Sequence, residues 1–280
     1  MSRAGSSALR LQHYNERFIV DGKPSLGRIT QDPVLAREGG CQVELLRSGP
    51  EKEQAFRLRH LLFAETLHWV PELPSGLEID GYDTCTEMIA VLDARRRVLG
   101  QVRVHDASVP YMIEHEFTSV LGDSPIPFKG RDTAELTRFG VLPEARGQVV
   151  QTPFGGFDLF TLLFKGAYRW SKLHGVRTIY GVTDLRVLRL LHLRGFPFET
   201  VAEPRLMPDG VTAVAIRLDW AEFERQNSQR KPRLLAWFGA DTGRRPELPA
   251  RFTEVPARPV SMPWLQPGSG SRRRASTEYS

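Results

Sequence analysis

Charged residues stand inside segments of this chain that otherwise read as buried strands. Glu135-Leu-Thr-Arg138 opens a β-type run to Leu142, and Gly100-Gln-Val-Arg103 lies within another. Upstream come Arg59, Phe63 and Trp69, then the acidic run Glu78-Ile-Asp80-Gly-Tyr-Asp83. A charge moved from water into a core is costly unless an opposite charge meets it. A fold that buries these runs must bring the acids and arginines together, and such clusters mark sites.

The intervening sequence fixes the element order. Cys41 to Arg47 alternates as a first strand. Ser48-Gly-Pro50-Glu51 places proline and acid where a helix begins. Ala55, Leu58, Leu62 and Thr66 share one face, so the helix is expected to reach about Thr66, with Arg59 and Phe63 on a neighbouring face. Pro71 to Gly76 reads as a loop. Glu87 to Asp93 and Val98 to His105 form a hairpin closed by Ala94-Arg-Arg-Arg97. After the strand Glu135 to Leu142, residues 155–174 read as a long helix with Phe157, Phe160, Leu163 and Phe164 at helical spacing. Thr178 to Thr183 is a strand, and Leu185 to Arg194 a helix closed by Gly195. Phe198 to Val201 and Val211 to Leu218 are the last strands, joined through Pro208-Asp-Gly210.

That order predicts an α/β domain over 41–220, a mixed sheet of about seven strands flanked by helices. Residues 1–40 read as an irregular N-terminal extension. Residues 221–280, with seven prolines and Gly268-Ser-Gly-Ser, read as a basic, largely disordered C-terminal extension. Within it, Phe223, Leu234, Leu235, Trp237 and Phe238 mark 221–238 as a segment able to dock.

Charge is uneven along the chain. Residues 1–220 hold 27 basic and 27 acidic residues, and residues 221–280 hold 11 and 6, so the net charge of +5 lies wholly in the tail. The pI of 9.4 therefore says little about the folded part. The tail's Arg272-Arg-Arg274 leaves a binding protein for nucleic acid or anionic lipid as a competing class. Nucleic acid is not the expected partner, because the cluster is short and has no aromatic platform. Cys41 and Cys85 stand far apart with no CxxC pattern, which fits a reducing cytoplasm rather than a disulfide framework. No apolar run approaches the roughly 20 residues that span a bilayer, and the start has no apolar signal core. A cytoplasmic location is expected.

Several chemistries are discounted. There is no GxSxG, HExxH, P-loop or GxGxxG pattern. His60 and His68 are eight apart, too far for a metal pair on one helix, so no metal is expected. Glu114-His115-Glu116 reads as a solvated turn. The run Glu78-x-Asp80-x2-Asp83 lacks the glycine and terminal glutamate of a calcium loop. Alone it is an acidic loop; with Arg59, Arg103, Glu135 and Arg138 it reads as one wall of a site for a cationic ligand. Phe63 and Trp69 are core residues or walls of that pocket. Glu135 and Arg138 lie three apart on a strand and so face opposite sides, unless a bulge redirects one.

The ordered set resembles the acyl-homoserine-lactone synthases, the autoinducer synthases of bacterial quorum sensing. It comprises Arg59-x3-Phe63-x5-Trp69, Glu78-x-Asp80-x2-Asp83, Gly100-x2-Arg103, Pro110-Tyr-Met112, Glu135-x2-Arg138-Phe139 and Val182-Thr-Asp184. Leu191-His-Leu-Arg-Gly-Phe-Pro197 is similar to the family's Arg-x-Gly-Trp-Pro segment, and the resemblance covers about residues 42–219. The chain departs from the pattern at Arg103-Val-His-Asp-Ala-Ser, where Arg-Leu-Leu-Pro-Thr-Thr is usual, and at Ala134 and Phe196, where Trp is common.

The resemblance implies an acetyltransferase-like (GNAT) fold with a centrally splayed sheet. It implies transfer of an acyl chain from acyl carrier protein to the amine of S-adenosylmethionine, then lactonisation with loss of methylthioadenosine. Both are substrates, and no cofactor is implied. Glu135 is implied as the proton acceptor, with Arg59, Asp80, Asp83, Arg103 and Arg138 as the surrounding charge cluster. Phe63, Trp69 and Glu78 would bound the S-adenosylmethionine pocket, and backbone N–H groups of the Glu135 strand would meet the thioester oxyanion. The pantetheine arm would enter where the strands Glu135–Leu142 and Thr178–Thr183 part. Phe139, Phe154, Phe157, Phe160, Tyr180 and Leu188 are candidates to line the acyl cleft, though core packing accounts for each equally well. Arg146, Arg169 and Lys172 are candidates to meet the acidic carrier protein. Two alternatives keep the same fold: an N-acyl amino acid synthase, and a synthase using coenzyme A thioesters.

Overall fold

The computed structural model describes residues 33–122 and 126–240. The N-terminal residues 1–32 and the basic tail with Arg272–Arg274 lie outside the described residues. Eight of the strands run in the order β1-β2-β3-β4-β5-β8-β11-β10, and β9 joins the edge of β11. They are β1 (Val34–Glu38), β2 (Cys41–Leu45), β3 (Glu87–Leu92), β4 (Val98–Asp106), β5 (Thr133–Val141), β8 (Thr178–Asp184), β9 (Glu199–Thr200), β10 (Arg205–Leu206) and β11 (Thr212–Asp219). Between β5 and β8 a separate ribbon forms from β6 (Val149–Thr152) and β7 (Gly155–Asp158).

The expected α/β sandwich is present, with nine strands in the main sheet instead of about seven. The first addition falls in the stretch read as irregular. Val34–Glu38 pairs with β2 through Gly39-Gly40, whose positive φ values of 48° and 82° suit glycine. The second is β10, whose two residues are too short to show any period.

Helices cover both faces. On one side lie α4 (Leu159–His174), α5 (Leu185–Arg194), α6 (Trp220–Arg230) and α7 (Pro232–Gly239). On the other lie α1 (Pro50–Arg59), a π-helical turn (His60–Thr66) and the short α2 (Met112–His115) and α3 (Thr118–Leu121). Strand alternation divides the core accordingly. Ile89 and Val91 of β3 pack toward α4, while Met88, Ala90 and Leu92 pack toward α1.

Three boundaries differ from the sequence reading. The helix expected from 155 begins at Leu159, because Gly155-Gly156-Phe157-Asp158 pairs with β6 and Asp158 caps α4, accepting the Thr161 N–H at 2.8 Å. The helix from Pro50 continues to Thr66 but widens to π geometry after Arg59. The limit at 220 falls inside packed structure. Asp219 caps α6, and Phe223, Leu234, Trp237 and Phe238 are buried against α4, the docking expected of 221–238. Glu114 is fixed rather than solvated: it accepts the Tyr111 N–H at 2.7 Å and pairs with Lys129.

The parallel pair β5–β8 is the topological centre. Its register covers Thr133 to Glu135 against Thr178 to Tyr180, and beyond that the two strands share no ladder. The sheet therefore opens where splaying was expected. No helix among the described residues is long and apolar enough to cross a membrane.

Candidate active site

The mouth of that opening, on the α1 face, carries the charges. Arg59 is the last residue of α1 and fully buried. Its Nε bonds Glu78, and its two terminal nitrogens meet Asp83 at 2.6 and 3.1 Å. Asp80 and Asp83 are set by their own turn. The Asp80 carboxylate accepts the Tyr82 N–H at 3.0 Å, and Asp83 accepts the Asp80 N–H at 2.8 Å, so each acid fixes the other's backbone.

Two arginines reach these acids from the sheet. Arg103 on β4 is fully buried, donates to Thr137 Oγ1 at 3.0 Å and to Asp83 at 3.2 Å, and also bonds Asp80. Arg138 meets Glu78 at 3.0 Å and Asp80 at 3.1 Å. A bulge makes this possible. Arg103 faces Thr137 and Gln101 faces Gly140, so Arg138 and Phe139 stand where β4 supplies Val102 alone. Arg138 takes a positive φ of 53°, and its side chain turns to the acid side while Phe139 packs toward α4. The close approach at Gly140 fixes the bulge against the π turn, since a Cβ there would lie 2.3 Å from Leu62 Cδ1.

Three arginines thus meet three carboxylates. Burial alone would raise the Asp80 carboxyl, but Arg103, Arg138 and Arg59 outweigh it and hold the group down at about 2. Glu78 is lowered in the same way: burial opposes, and Arg138 and Arg59 prevail. The Arg59 guanidinium is held charged by Glu78 and Asp83 against the opposing effect of burial.

Glu135 sits beside this network with different partners. It is fully buried and accepts the N–H groups of Met112 at 2.6 Å and Ile113 at 3.0 Å. His105, directly across the strand pair, brings Nε2 to 2.8 Å from its Oε2, off the line of a hydrogen bond. Met112 links the two groups. Its backbone meets Glu135, and its sulfur lies 2.9 Å from an Arg103 nitrogen and 3.9 Å from one of Arg138.

Phe63 and Trp69 form the rim. Their rings stack with centroids 6.2 Å apart, Arg138 lies 5.5 Å over Phe63, and Trp69 is 48% exposed. His60 holds the loop that carries Trp69, meeting Glu65 at 2.8 Å and accepting the Leu73 N–H at 3.1 Å.

The structure gathers Arg59, Glu78, Asp80, Asp83, Arg103 and Arg138 as one network, with Glu135, Phe63 and Trp69 around it. The expected acyl-cleft residues do not form one wall. Phe139 packs on Phe160 and Phe164 at 4.6 and 4.8 Å, and Leu188 is buried in the same core. Tyr180 faces the other side, beside Tyr111 at 6.1 Å, because alternation on β8 gives its opposite face to Ile179. Phe154 and Phe157 line a separate cleft of about 630 Å³ with Arg194, Arg230, Lys231 and Arg233. Arg169 bonds the Ala240 carbonyl, and Lys172 meets Glu224 at 2.6 Å, so both brace the C-terminal helices. Sequence reasoning passed over His105 and Thr137. The signal was the alternation Gln101, Arg103, His105, which puts all three on one face.

Residues 44–228 match the family model described as autoinducer synthase. The chain belongs to the autoinducer synthase family. It is an enzyme of the acyl-homoserine-lactone synthase kind. A probable acyl-homoserine-lactone synthase of Sinorhizobium fredii is 33% identical over 177 residues, covering 61% of this chain and 77% of that protein. An acyl-homoserine-lactone synthase of Rhizobium radiobacter is 34% identical over 183 residues, covering 62% and 81%. Among solved structures, the acyl-homoserine-lactone synthase LasI superposes with a TM-score of 0.54 at 24% identity over 64% of this chain and 88% of its own. BjaI, described as a CoA-dependent acyl-homoserine lactone synthase, superposes with a TM-score of 0.58 at 22% identity over 75% and 97%. At these identities the two structures speak for the fold.

Proposed function

We propose that this synthase moves a fatty acyl group from acyl carrier protein to the amine of S-adenosylmethionine. The methionyl part then closes to the lactone and expels methylthioadenosine. The observation that carries the reading is the buried network of three arginines and three carboxylates beside a stacked aromatic pair, Phe63 buried and Trp69 exposed. Glu78 and Asp80 stay ionised at neutral pH and favour a cationic substrate, and Phe63 and Trp69 offer ring faces to a sulfonium or an adenine.

The ammonium must lose a proton before it can attack. Glu135 accepts that proton, directly or through water. The free amine then adds to the thioester carbonyl, the C–N bond forms, and the C–S bond breaks. Beyond Glu135 the β8-facing edge of β5 has no ladder partner in β8. Its N–H groups are available to the oxyanion, and the gap admits the pantetheine arm. Phe139, Phe160 and Phe164 supply apolar surface for the acyl chain.

A coenzyme A thioester is the second reading for the donor. The cleft at the N-terminus of α4 gathers Arg194, Arg230, Lys231 and Arg233, a setting suited to phosphate. Purified chain is given S-adenosylmethionine with acyl carrier protein thioesters in one arm and coenzyme A thioesters in another. Mass spectrometry is expected to find acyl-homoserine lactone and methylthioadenosine in the carrier-protein arm. Turnover in the coenzyme A arm alone selects the second donor. Acylated amino acids without methylthioadenosine contradict the lactone reading.

A further inference from the structure

His105 lies across β4–β5 from Glu135, and the reaction above makes no use of it. Its Nε2 is 2.8 Å from Glu135 Oε2. Two lone pairs at that distance repel, so Nε2 carries a hydrogen. The ring is fully buried, and neither nitrogen makes an aligned hydrogen bond among the described residues. A buried nitrogen without a partner is costly whether or not it is protonated. The residue falls within Arg103-Val-His-Asp, one of the chain's departures from the family pattern.

The surroundings of the ring are defined. Tyr82 approaches from the turn that holds Asp80, with centroids 5.6 Å apart, and Tyr111 approaches edge-on at 5.7 Å. Behind them, Arg103 lies 5.3 Å over Tyr82 and Lys129 lies 4.2 Å over Tyr111, whose hydroxyl meets Thr133 at 2.7 Å. Among the described residues, Glu135 is the carboxylate within ion-pair reach of His105.

We propose that His105 is the positioning residue for Glu135, its Nε2–H orienting the carboxylate that takes the transferred proton. The inference rests on Glu135 being the proton acceptor. Two backbone N–H groups already hold its carboxylate from the α2 side. The Nε2–H of His105 lies against Oε2 and holds the carboxylate in one orientation through the proton transfer. The ammonium gives one proton to Glu135, and its nitrogen bonds the acyl carbon as the C–S bond breaks. The nitrogen's second proton passes to the departing thiolate, and Glu135 releases the first to water.

The test is the pH profile of methylthioadenosine release by the full chain, with kcat and KM separated. Octanoyl-acyl carrier protein and octanoyl-coenzyme A serve as donors in separate arms. Wild type is compared with His105→Leu, His105→Gln and Glu135→Gln. His105→Leu is expected to lower kcat about tenfold or more, to leave KM for S-adenosylmethionine nearly unchanged and to move the acid limb. His105→Gln keeps an N–H donor, so part of kcat returns and the acid limb moves back toward that of wild type. An unchanged kcat and profile in folded His105 variants overturns the inference when Glu135→Gln is inactive. An active Glu135→Gln overturns the proton-acceptor reading itself. If neither His105 variant folds, histidine ¹⁵N resonances of wild type decide. An Nε2–H whose signal moves in Glu135→Gln is expected, and a ring insensitive to Glu135 overturns the pairing.

Discussion

On the face covered by α4, α6 and α7, the sheet buries rings on rings. Phe164 lies 4.3 Å from Phe196, and Phe223 lies 4.9 Å from Phe238. On the face covered by α1 and the π turn, side chains of similar size are buried as ions: Arg59 and Arg103 are as inaccessible as those rings. The aromatic face is filled mostly by shape, so its contacts are numerous and individually replaceable. The charged face is held by a closed set of partners, and each arginine serves at least two acids. Such a set loses more than one contact when a member goes, because the remaining charges stay buried. The aromatic side also buries an ion pair, Lys165 with Glu38, where Glu38 accepts the Trp237 N–H at 2.8 Å. That pair ties β1 and α7 to α4 and stands away from the opening between β5 and β8.

The comparison can be broken in several places. Replacing Arg103 by alanine leaves Asp80 and Asp83 short of a partner, and a loss of about 3–5 kcal/mol by denaturant unfolding is expected, together with loss of acyl transfer. Phe196→Ala opens a cavity on the other face at a cost of about 3–4 kcal/mol, but the surviving folded protein keeps its turnover number. Equal loss of turnover in both variants would erase the distinction between the faces.

Acid titration separates the faces more finely. The Asp80 carboxyl lies at about 2 when folded, against an ordinary value of 3.8. Its folded value is depressed, so its contribution is present above pH 4 and drains away as pH falls toward 2. That contribution is on the order of 2 kcal/mol. Asp80→Asn is expected to flatten unfolding free energy against pH over that window, whereas Phe196→Ala shifts the curve without changing its shape. The smallest effect falls at the rim. Trp69→Ala removes an exposed ring, so stability should change by less than about 1 kcal/mol. KM for S-adenosylmethionine should rise several-fold, and initial-rate kinetics would show it.

The two faces were not equally legible in the sequence. The aromatic face follows from periodicity: Phe160, Leu163 and Phe164 recur at helical spacing, and α5 ends at Gly195 as read. The charged face was legible in membership but not in geometry. Arg59, Glu78, Asp80, Asp83 and Arg103 could be named as a cluster, yet nothing local states that Arg138 turns through a bulge to join them. The bulge is decided by the pairing partner on β4 and by the contact of Gly140 with Leu62, both distant in sequence. The same holds for β7, where Phe157 fits a helical period but Gly155-Gly156 pairs with β6 instead. The two-residue strand β10 carries too few residues for any pattern.

The central claim is that the charged face is a site for acyl transfer to a cationic amine with Glu135 as the proton acceptor. Methylthioadenosine release by Glu135→Gln, measured beside its thermal unfolding, tests it most directly. The account predicts a fall of about 10²–10⁴-fold in kcat with cooperative unfolding retained. A folded variant that releases methylthioadenosine at the wild-type rate would contradict it.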